Sequence, residues 1–325
     1  MMDADELHRL FSEQQLTVLV DALREHAEFP KELGYIAGAD RWRQADEAPS
    51  ADSAPPVRDF HSLLGDHLDQ VLAGLPAGQP VEVVDLGPGT GLPVLGLLRR
   101  LLDADRLAGY RGMDVSPDML GFAGSRLRAE FPAQAGRFAF LVGDFTGPDL
   151  YRALPRETAG GPPRLVILAG ATLGNLADPE HFLRRVGAAL TPRDVLLVTL
   201  RFDTGAHRPA FMDRPEVGCA IPPHHRAGVD LLGIDPAAYQ AERGFDADRG
   251  EIFIRLRFVR PVTLEFGDRG TVGFGPGSTV LLYRYRYLDR SGWLDIIGRA
   301  GLETRLFQVG GSGEVALIVV GHPLT

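Results

Sequence analysis

From Val81 to Arg201 the chain alternates short apolar runs with amphipathic stretches, and no other feature narrows its possible folds as much. The apolar runs are Val81–Leu86, Tyr110–Asp114, Phe138–Val142, Leu165–Ala169 and Val195–Arg201, each of strand length and composition. Between them, Leu92–Leu102, Pro117–Glu130 and Pro179–Leu190 carry apolar residues at helical spacing. Strands alternating with helices predict a parallel sheet covered by helices on both faces. The chain closes with a helix, Ser291–Ala300, and two strands, Thr304–Val309 and Val315–Val320, so one antiparallel strand should complete the sheet. The expected fold class is α/β, a Rossmann-like, doubly wound and mostly parallel sheet of seven strands, with a second, smaller α+β lobe.

The rest of the chain supplies that lobe. Residues 3–29 place Leu7, Leu10, Phe11, Leu16, Leu19, Val20 and Leu23 at helical spacing, and Pro30 ends the run. Gln44–Val57, rich in Ala, Ser, Asp and Pro, reads as a loop, and Asp59–Leu75 as a helix. From Thr204 to Arg249 the pattern becomes irregular and Pro-rich. Ile252–Val259, Val262–Phe266 and Val280–Tyr287 then read as antiparallel strands. The expected organisation is residues 1–57 as the helical part of the second lobe, 58–202 with 288–325 as the sheet domain, and 203–287 as the insertion that completes the lobe.

Composition excludes several functions. The formal net charge is −9, with acidic and basic residues interspersed and no basic stripe, which argues against a nucleic-acid partner. The single cysteine, Cys219, leaves no disulfide framework and no thiolate metal site. No apolar run reaches the length that spans a bilayer, and the N-terminal residues do not read as a signal peptide. The expectation is a cytoplasmic protein with no membrane partner and no metal. His224 and His225 follow two prolines and are expected to diverge rather than share a ligand.

The chemistry is written at the strand ends. Val83-Val84-Asp85-Leu86-Gly87-Pro88-Gly89-Thr90-Gly91 turns from strand to helix, and its glycines let a ligand approach the backbone. Dinucleotide folds place the third glycine one residue later and cradle a pyrophosphate. S-adenosylmethionine has no pyrophosphate and carries a cationic end, so Asp85 beside the loop suits it better than NAD. Asp114, ending the next strand, can accept from both ribose hydroxyls. Asp144 can accept from an adenine amino group while Phe145 packs on the ring. Gly170 follows the fourth strand, in the run Leu168-Ala169-Gly170-Ala171-Thr172-Leu173-Gly174-Asn175-Leu176.

With that run the sequence resembles the ergothioneine-pathway histidine N-alpha-methyltransferases, whose corresponding element reads Gly-Ser-Thr-Ile-Gly-Asn-Leu. Gly143-Asp144-Phe145 matches too, Tyr35-Ile36-Ala37-Gly38-Ala39-Asp40 resembles an N-terminal tyrosine-containing segment that closes over the substrate in the family, and Glu251-Ile252-Phe253-Ile254-Arg255-Leu256 resembles a strand of its second lobe. The resemblance implies an S-adenosylmethionine-dependent methyltransferase acting on a small-molecule acceptor. It implies that Asn175 holds the acceptor's amine or carboxylate and that Tyr35 lines the joint between acceptor and cofactor, the two candidate catalytic residues. A turn residue and a half-buried aromatic between helices are the simpler readings of the same two positions.

The departures lie in the second lobe. A glutamate and a serine on one strand read the imidazole in the family, yet Leu281–Tyr287 offers neither. A second tyrosine of the family falls in Ala54-Pro55-Pro56, and a third is replaced by Phe211. Strand alternation puts Tyr283 and Tyr285 on one face, where with Tyr35, Asn175 and Phe211 they would select the acceptor, and Arg284 and Arg286 on the other, read as a solvated face. The expected reaction is N-methylation of an amino acid or related amine other than histidine, with O-methylation, a non-methylating cyclase and a cofactor-binding scaffold as alternatives.

Overall fold

The computed structural model describes residues 4–47, 62–155, 160–170, 172–205 and 209–323. The expected tyrosine-replacing stretch Ala54-Pro55-Pro56, most of the loop expected at Gln44–Val57 and the start of the helix expected from Asp59 lie outside the described residues. Two compact units are formed, Met1–Ala45 with Arg208–Arg286 and Asp46–His207 with Tyr287–Thr325.

Along the larger unit the strands are β1 (Val81–Leu86), β2 (Leu107–Asp114), β3 (Phe138–Val142), β4 (Arg164–Leu168) and β5 (Val195–Arg201). The smaller unit contributes β6 (Glu216–Val217), β7 (Tyr239–Asp246), β8 (Glu251–Phe258), β9 (Val262–Glu265), β10 (Thr271–Phe274) and β11 (Thr279–Arg286). Helix Arg290–Arg299, β12 (Glu303–Val309) and β13 (Val315–Gly321) then complete the larger unit.

The seven-stranded sheet runs β12-β13-β5-β4-β1-β2-β3. Neighbours from β5 to β3 are parallel, whereas β13 is antiparallel to both β5 and β12. Strand periodicity divides the core in two. Val84, Leu86, Val166, Leu168, Leu196 and Val198 pack with helices Pro179–Ala189 and Arg290–Arg299 on one face. Val81, Val83, Leu165, Ile167, Val195 and Leu197 pack with helix Leu95–Asp103 on the other.

A buried ion pair lies within this unit. Arg164 is 0% exposed, and its guanidinium meets Asp194 through Nη2 to Oδ2 at 2.8 Å and Nε to Oδ2 at 3.2 Å. Its remaining donors reach the carbonyls of Pro155 and Ala189, and Asp194 also accepts from the backbone N–H groups of Arg164 and Thr191. The pair ties the start of β4 to the turn before β5.

In the smaller unit the run expected as one helix over 3–29 is three pieces. Helix Ala4–Leu10 ends before Ser12, which opens Glu13–Asp21 with a capping box, and a π-helical turn follows at Ala22–His26. Ser12 is the reason for the break, because its hydroxyl accepts from Gln15 while Gln15 Oε1 accepts from the Ser12 N–H at 2.8 Å. Helices Lys31–Ala37 and Ala39–Asp46 come next, so Gln44, Ala45 and Asp46 are helical rather than loop. The segment expected to be irregular from Thr204 to Arg249 holds β6, helix Pro223–Leu231 and β7. Four strands pair in the order β11-β8-β7-β6, and β9 and β10 form a separate hairpin.

Candidate active site

Register brings the chemistry of the larger unit to one edge of its sheet. Leu86 pairs with Met113, Asp114 with Val142, and Asp85 with Ile167, so the carboxyl ends of β1 to β4 lie side by side. Such an edge is where ligands bind in open parallel sheets. Gly87, Gly89 and Gly91 all take positive φ, at 76°, 57° and 75°, which explains the spacing of the glycines. Gly91 also lets the turn close on helix Pro117–Glu130, since a Cβ there would lie 3.2 Å from the Cα of Ala123.

Two carboxylates are buried beneath this turn. Asp85 is 3% exposed, and Tyr110 donates its hydroxyl to Oδ2 at 2.9 Å. Burial raises its pKa from 3.8 to about 7, with the Tyr110 hydrogen bond opposing and nearby Asp114 adding to the rise. Asp114 is 7% exposed, and burial raises its pKa to about 6 against the backbone N–H groups of Ser116 and Val115. Ser116 N–H meets Asp114 Oδ1 at 2.9 Å, while the Ser116 hydroxyl caps the helix beginning at Pro117. No cationic side chain among the described residues is paired with either acid. Two desolvated acids beside a glycine turn suit a ligand that brings a cation and hydroxyl donors.

The third and fourth strand ends differ in detail. Asp144 Oδ1 accepts from both the N–H and the hydroxyl of Thr146 at 2.7 Å, so this acid also shapes its own turn. The Phe145 ring packs edge-on to Phe182 at 5.9 Å, and its Cε1 would lie 3.6 Å from a Cβ added at Gly87. That places an aromatic edge at the mouth of the glycine turn. Gly170 has φ of 73° and open space around it, and its N–H donates to Thr199. Ala171 lies outside the described residues. The 3₁₀ turn Thr172–Asn175 then presents Asn175, whose Oδ1 is buried and has no donor among the described residues.

The smaller unit gathers only some of the residues expected to select an acceptor. Tyr35 and Tyr283 join one cluster with Lys31, Trp42, His224 and His225, a grouping that the sequence pattern did not predict. Tyr35 meets Trp42 at 4.7 Å between ring centroids, Trp42 meets His224 at 4.2 Å, and His225 meets Tyr283 at 4.3 Å. The two histidines do not diverge, their rings lying 4.4 Å apart. The reason is local: Pro223 starts a helix, so both imidazoles sit in its first turn and reach the same neighbours. Glycines make that packing possible. A Cβ on Gly38 would lie 2.7 Å from Ala227, and one on Gly228 would lie 2.3 Å from the Phe29 ring. Arg41 adds a bridge to the carbonyl of Pro223 and to Asp230 at 2.6 Å.

Burial lowers the pKa of His224 to about 4 and of His225 to about 2, with Lys31 contributing to both. Tyr285 is only 3% exposed, so the aromatic wall expected from β11 is represented at the surface by Tyr283. Phe211 stands apart from the cluster under the guanidinium of Arg243, 4.5 Å away. Arg284 and Arg286 are not a solvated face. Arg284 pairs with Glu28, and Arg286 meets Glu251 at 2.7 Å, because both acids are brought alongside β11 by its neighbours. Among the described residues no group of three His, Cys, Asp or Glu side chains could hold a metal, and no helix is long and apolar enough to cross a membrane.

A sheet with this strand order and reversed strand, carrying a glycine turn over buried aspartates, defines an S-adenosylmethionine-dependent methyltransferase. The chain belongs to the family described as histidine-specific, SAM-dependent methyltransferases, which matches residues 55–308. Among solved structures it is similar to the CcbJ methyltransferase of Streptomyces caelestis, with 18% identity, a TM-score of 0.52 and coverage of 89% of this chain and 98% of that one. CalS10 of Micromonospora echinaspora, an amino pentose methyltransferase, is 15% identical with a TM-score of 0.45, over 81% of this chain and 92% of that one. At such identity these likenesses are of fold. No curated protein matches the sequence.

Proposed function

We propose that this methyltransferase acts on the nitrogen of an amino acid or related small amine other than histidine. The observation that carries the reading is the buried Oδ1 of Asn175, without a donor among the described residues. Leaving such an acceptor unpaired costs roughly 1–3 kcal/mol. An amine N–H is the donor that satisfies it, and the hydrogen bond orients the nitrogen while leaving its lone pair free. Histidine is disfavoured by the acids around β11. A carboxylate that reads an imidazole N–H must be uncommitted, yet Glu28 and Glu251 are held by Arg284 and Arg286, and Glu242 by Arg255 and Arg257.

S-adenosylmethionine, when bound, supplies a methyl group on a sulfonium, and sulfur keeps the electron pair when the methyl leaves. Everything else falls to the chain. The glycine turn admits the cofactor, Asp85 sets a negative potential beneath it, Asp114 accepts from the ribose hydroxyls, and Asp144 and Phe145 hold the adenine. Gly170 leaves space beside the reacting centre. Tyr35, Phe211, Tyr283 and Tyr285, all of the smaller unit, are the side chains proposed to select the acceptor. Alignment of acceptor and methyl supplies roughly 7–11 kcal/mol of the barrier in reactions of this kind.

The test uses methyl-labelled S-adenosylmethionine and panels of amino acids, amines, alcohols and phenols, with products located by mass spectrometry. Label on nitrogen of a non-histidine acceptor supports the reading. Label on oxygen, product without label, or cofactor binding without product would each replace it, by an O-methyltransferase, a cyclase or a scaffold in turn.

A further inference from the structure

Asp85, near the end of β1, lies opposite a glycine in the next strand. It pairs with Gly112 of β2, and Tyr110 and Asp114 stand two residues to either side of that glycine, on the same face of the sheet. A side chain would not fit between them. A Cβ on Gly112 would lie 3.3 Å from the Tyr110 hydroxyl oxygen, from Phe140 Cδ1 and from Pro88 Cγ. The glycine thus keeps clear the space in which the Tyr110 hydroxyl reaches Asp85 Oδ2 at 2.9 Å. Tyr110 is 2% exposed, and β3 braces its ring through Phe138 and Phe140, at 6.1 and 5.9 Å between centroids.

Phenylalanine would fill the same volume among those rings. Tyrosine adds one hydroxyl, and that hydroxyl is committed to the acid beside the glycine turn. We propose that Tyr110 is a positioning residue of the cofactor site: its hydroxyl, reaching past Gly112, holds Asp85 as an aimed carboxylate that receives the cationic end of S-adenosylmethionine. The inference rests on the reading of Asp85 as the acid beneath the cofactor. Where the free protein holds a proton on Asp85, binding of the cation expels that proton to water.

The surroundings leave that task to the tyrosine. Burial raises the Asp85 pKa to about 7, the Tyr110 hydrogen bond lowers it, and Asp114 adds to the rise. The rest of this face is apolar, with Val83 of β1, Ile167 of β4, and Leu97, Leu98 and Leu101 of helix Leu95–Asp103. Asp46, an acid at the glycine turn, is engaged by the Thr90 hydroxyl. Among the described residues Tyr110 is therefore the one side-chain donor to Asp85. Burial and the charges of Asp85 and Asp114 push the phenol well above 10, so it remains a donor over the whole working range.

Tyr110→Phe keeps the ring and removes only the hydroxyl. Calorimetry on the full chain should follow S-adenosylmethionine affinity from about pH 6 to about pH 9 in wild type, Tyr110→Phe, Asp85→Asn and the double variant. The ionised acid is the form that binds, and without its donor it ionises at higher pH. Tyr110→Phe should therefore bind about tenfold more weakly than wild type near pH 6, with the difference closing toward pH 9 or so. Taking the ratio of variant to wild type at each pH removes the cofactor's own titration. In the Asp85→Asn background the hydroxyl should make no pH-dependent difference. Carboxyl ¹³C spectra of the cofactor-free chain give a second readout, in which the Asp85 midpoint should rise by about one pH unit in Tyr110→Phe. An equal loss of affinity at every pH makes Tyr110 a core residue and overturns the proposal, as does wild-type affinity near pH 6 or an unmoved midpoint. The two readings fail separately. Wild-type affinity in Asp85→Asn would remove Asp85 from the cofactor site, whereas weak binding by Asp85→Asn beside wild-type binding by Tyr110→Phe removes Tyr110 alone.

Discussion

Replacing Asp85 with asparagine should make the cofactor-free protein more stable and its cofactor site worse. Asp85 is 3% exposed, and its pKa stands at about 7 rather than 3.8, chiefly because burial disfavours the carboxylate. In the folded protein the group therefore holds its proton until about pH 7, whereas in the unfolded chain it loses it near 4. Between those values the folded state binds more protons, so the associated stability is complete below about pH 4 and is lost as pH rises through about 7. A gap of about 3 pH units, at about 1.36 kcal/mol each, makes ionised Asp85 cost about 4 kcal/mol at pH 8. Asparagine never ionises and still accepts from the Tyr110 hydroxyl 2.9 Å away. Asp85→Asn should therefore gain up to about 4 kcal/mol in urea unfolding at pH 8, with a smaller gain at pH 5, and calorimetry should show weaker binding of S-adenosylmethionine. Equal stability of variant and wild type at pH 8, or a less stable variant, would refute the argument that burial of this carboxylate costs stability once it ionises.

Three other substitutions probe separate parts of the structure. Asp114→Ala should weaken S-adenosylmethionine binding by about 1.5–3 kcal/mol, the worth of a charged hydrogen bond, and unchanged affinity in a folded variant would remove Asp114 from the ribose site. Asn175→Ala should cut turnover of the amine acceptor at least tenfold or so while cofactor affinity stays within about 1.4 kcal/mol, so equal loss of both would make Asn175 a structural residue. Asp194→Ala strands the buried Arg164 guanidinium and should cost about 3–5 kcal/mol, read by urea unfolding followed by circular dichroism; a loss under about 1 kcal/mol would show that water reaches the arginine.

The larger unit was legible in the sequence because its signals are local. β1, β3, β5 and helix Pro117–Glu130 begin and end where apolar periodicity, Ser116 and Pro117 place them. The positive-φ glycines were equally plain, since a tight turn from strand to helix demands that backbone freedom, and Asp85 and Asp114 stand out as acids at the ends of apolar strands. Tyr110 was not, because a tyrosine in a buried strand looks like core until its hydroxyl is seen on Asp85. In the smaller unit the information is long-range. β7 reads as irregular because Glu242 lies at its centre, and that acid is buried only because Arg255 and Arg257 come from the neighbouring strand. The cluster at Lys31 joins residues near 31, 224 and 283, and a lone lysine at a helix start gives no local sign of it. Arg284 and Arg286 misled for the same reason, as their acidic partners are distant in sequence.

The family description names histidine, whereas Glu28 and Glu251 beside β11 are held by Arg284 and Arg286, so histidine itself is the decisive acceptor to measure. The purified protein, saturated with S-adenosylmethionine, should be assayed for kcat/KM with histidine and with the best amine from the labelled screen. Histidine should be poorer by about tenfold to a hundredfold, the effect of losing a charged contact to the imidazole worth about 1.5–3 kcal/mol. Conversion of histidine to its mono-, di- and trimethylated forms as efficiently as any other amine would contradict it.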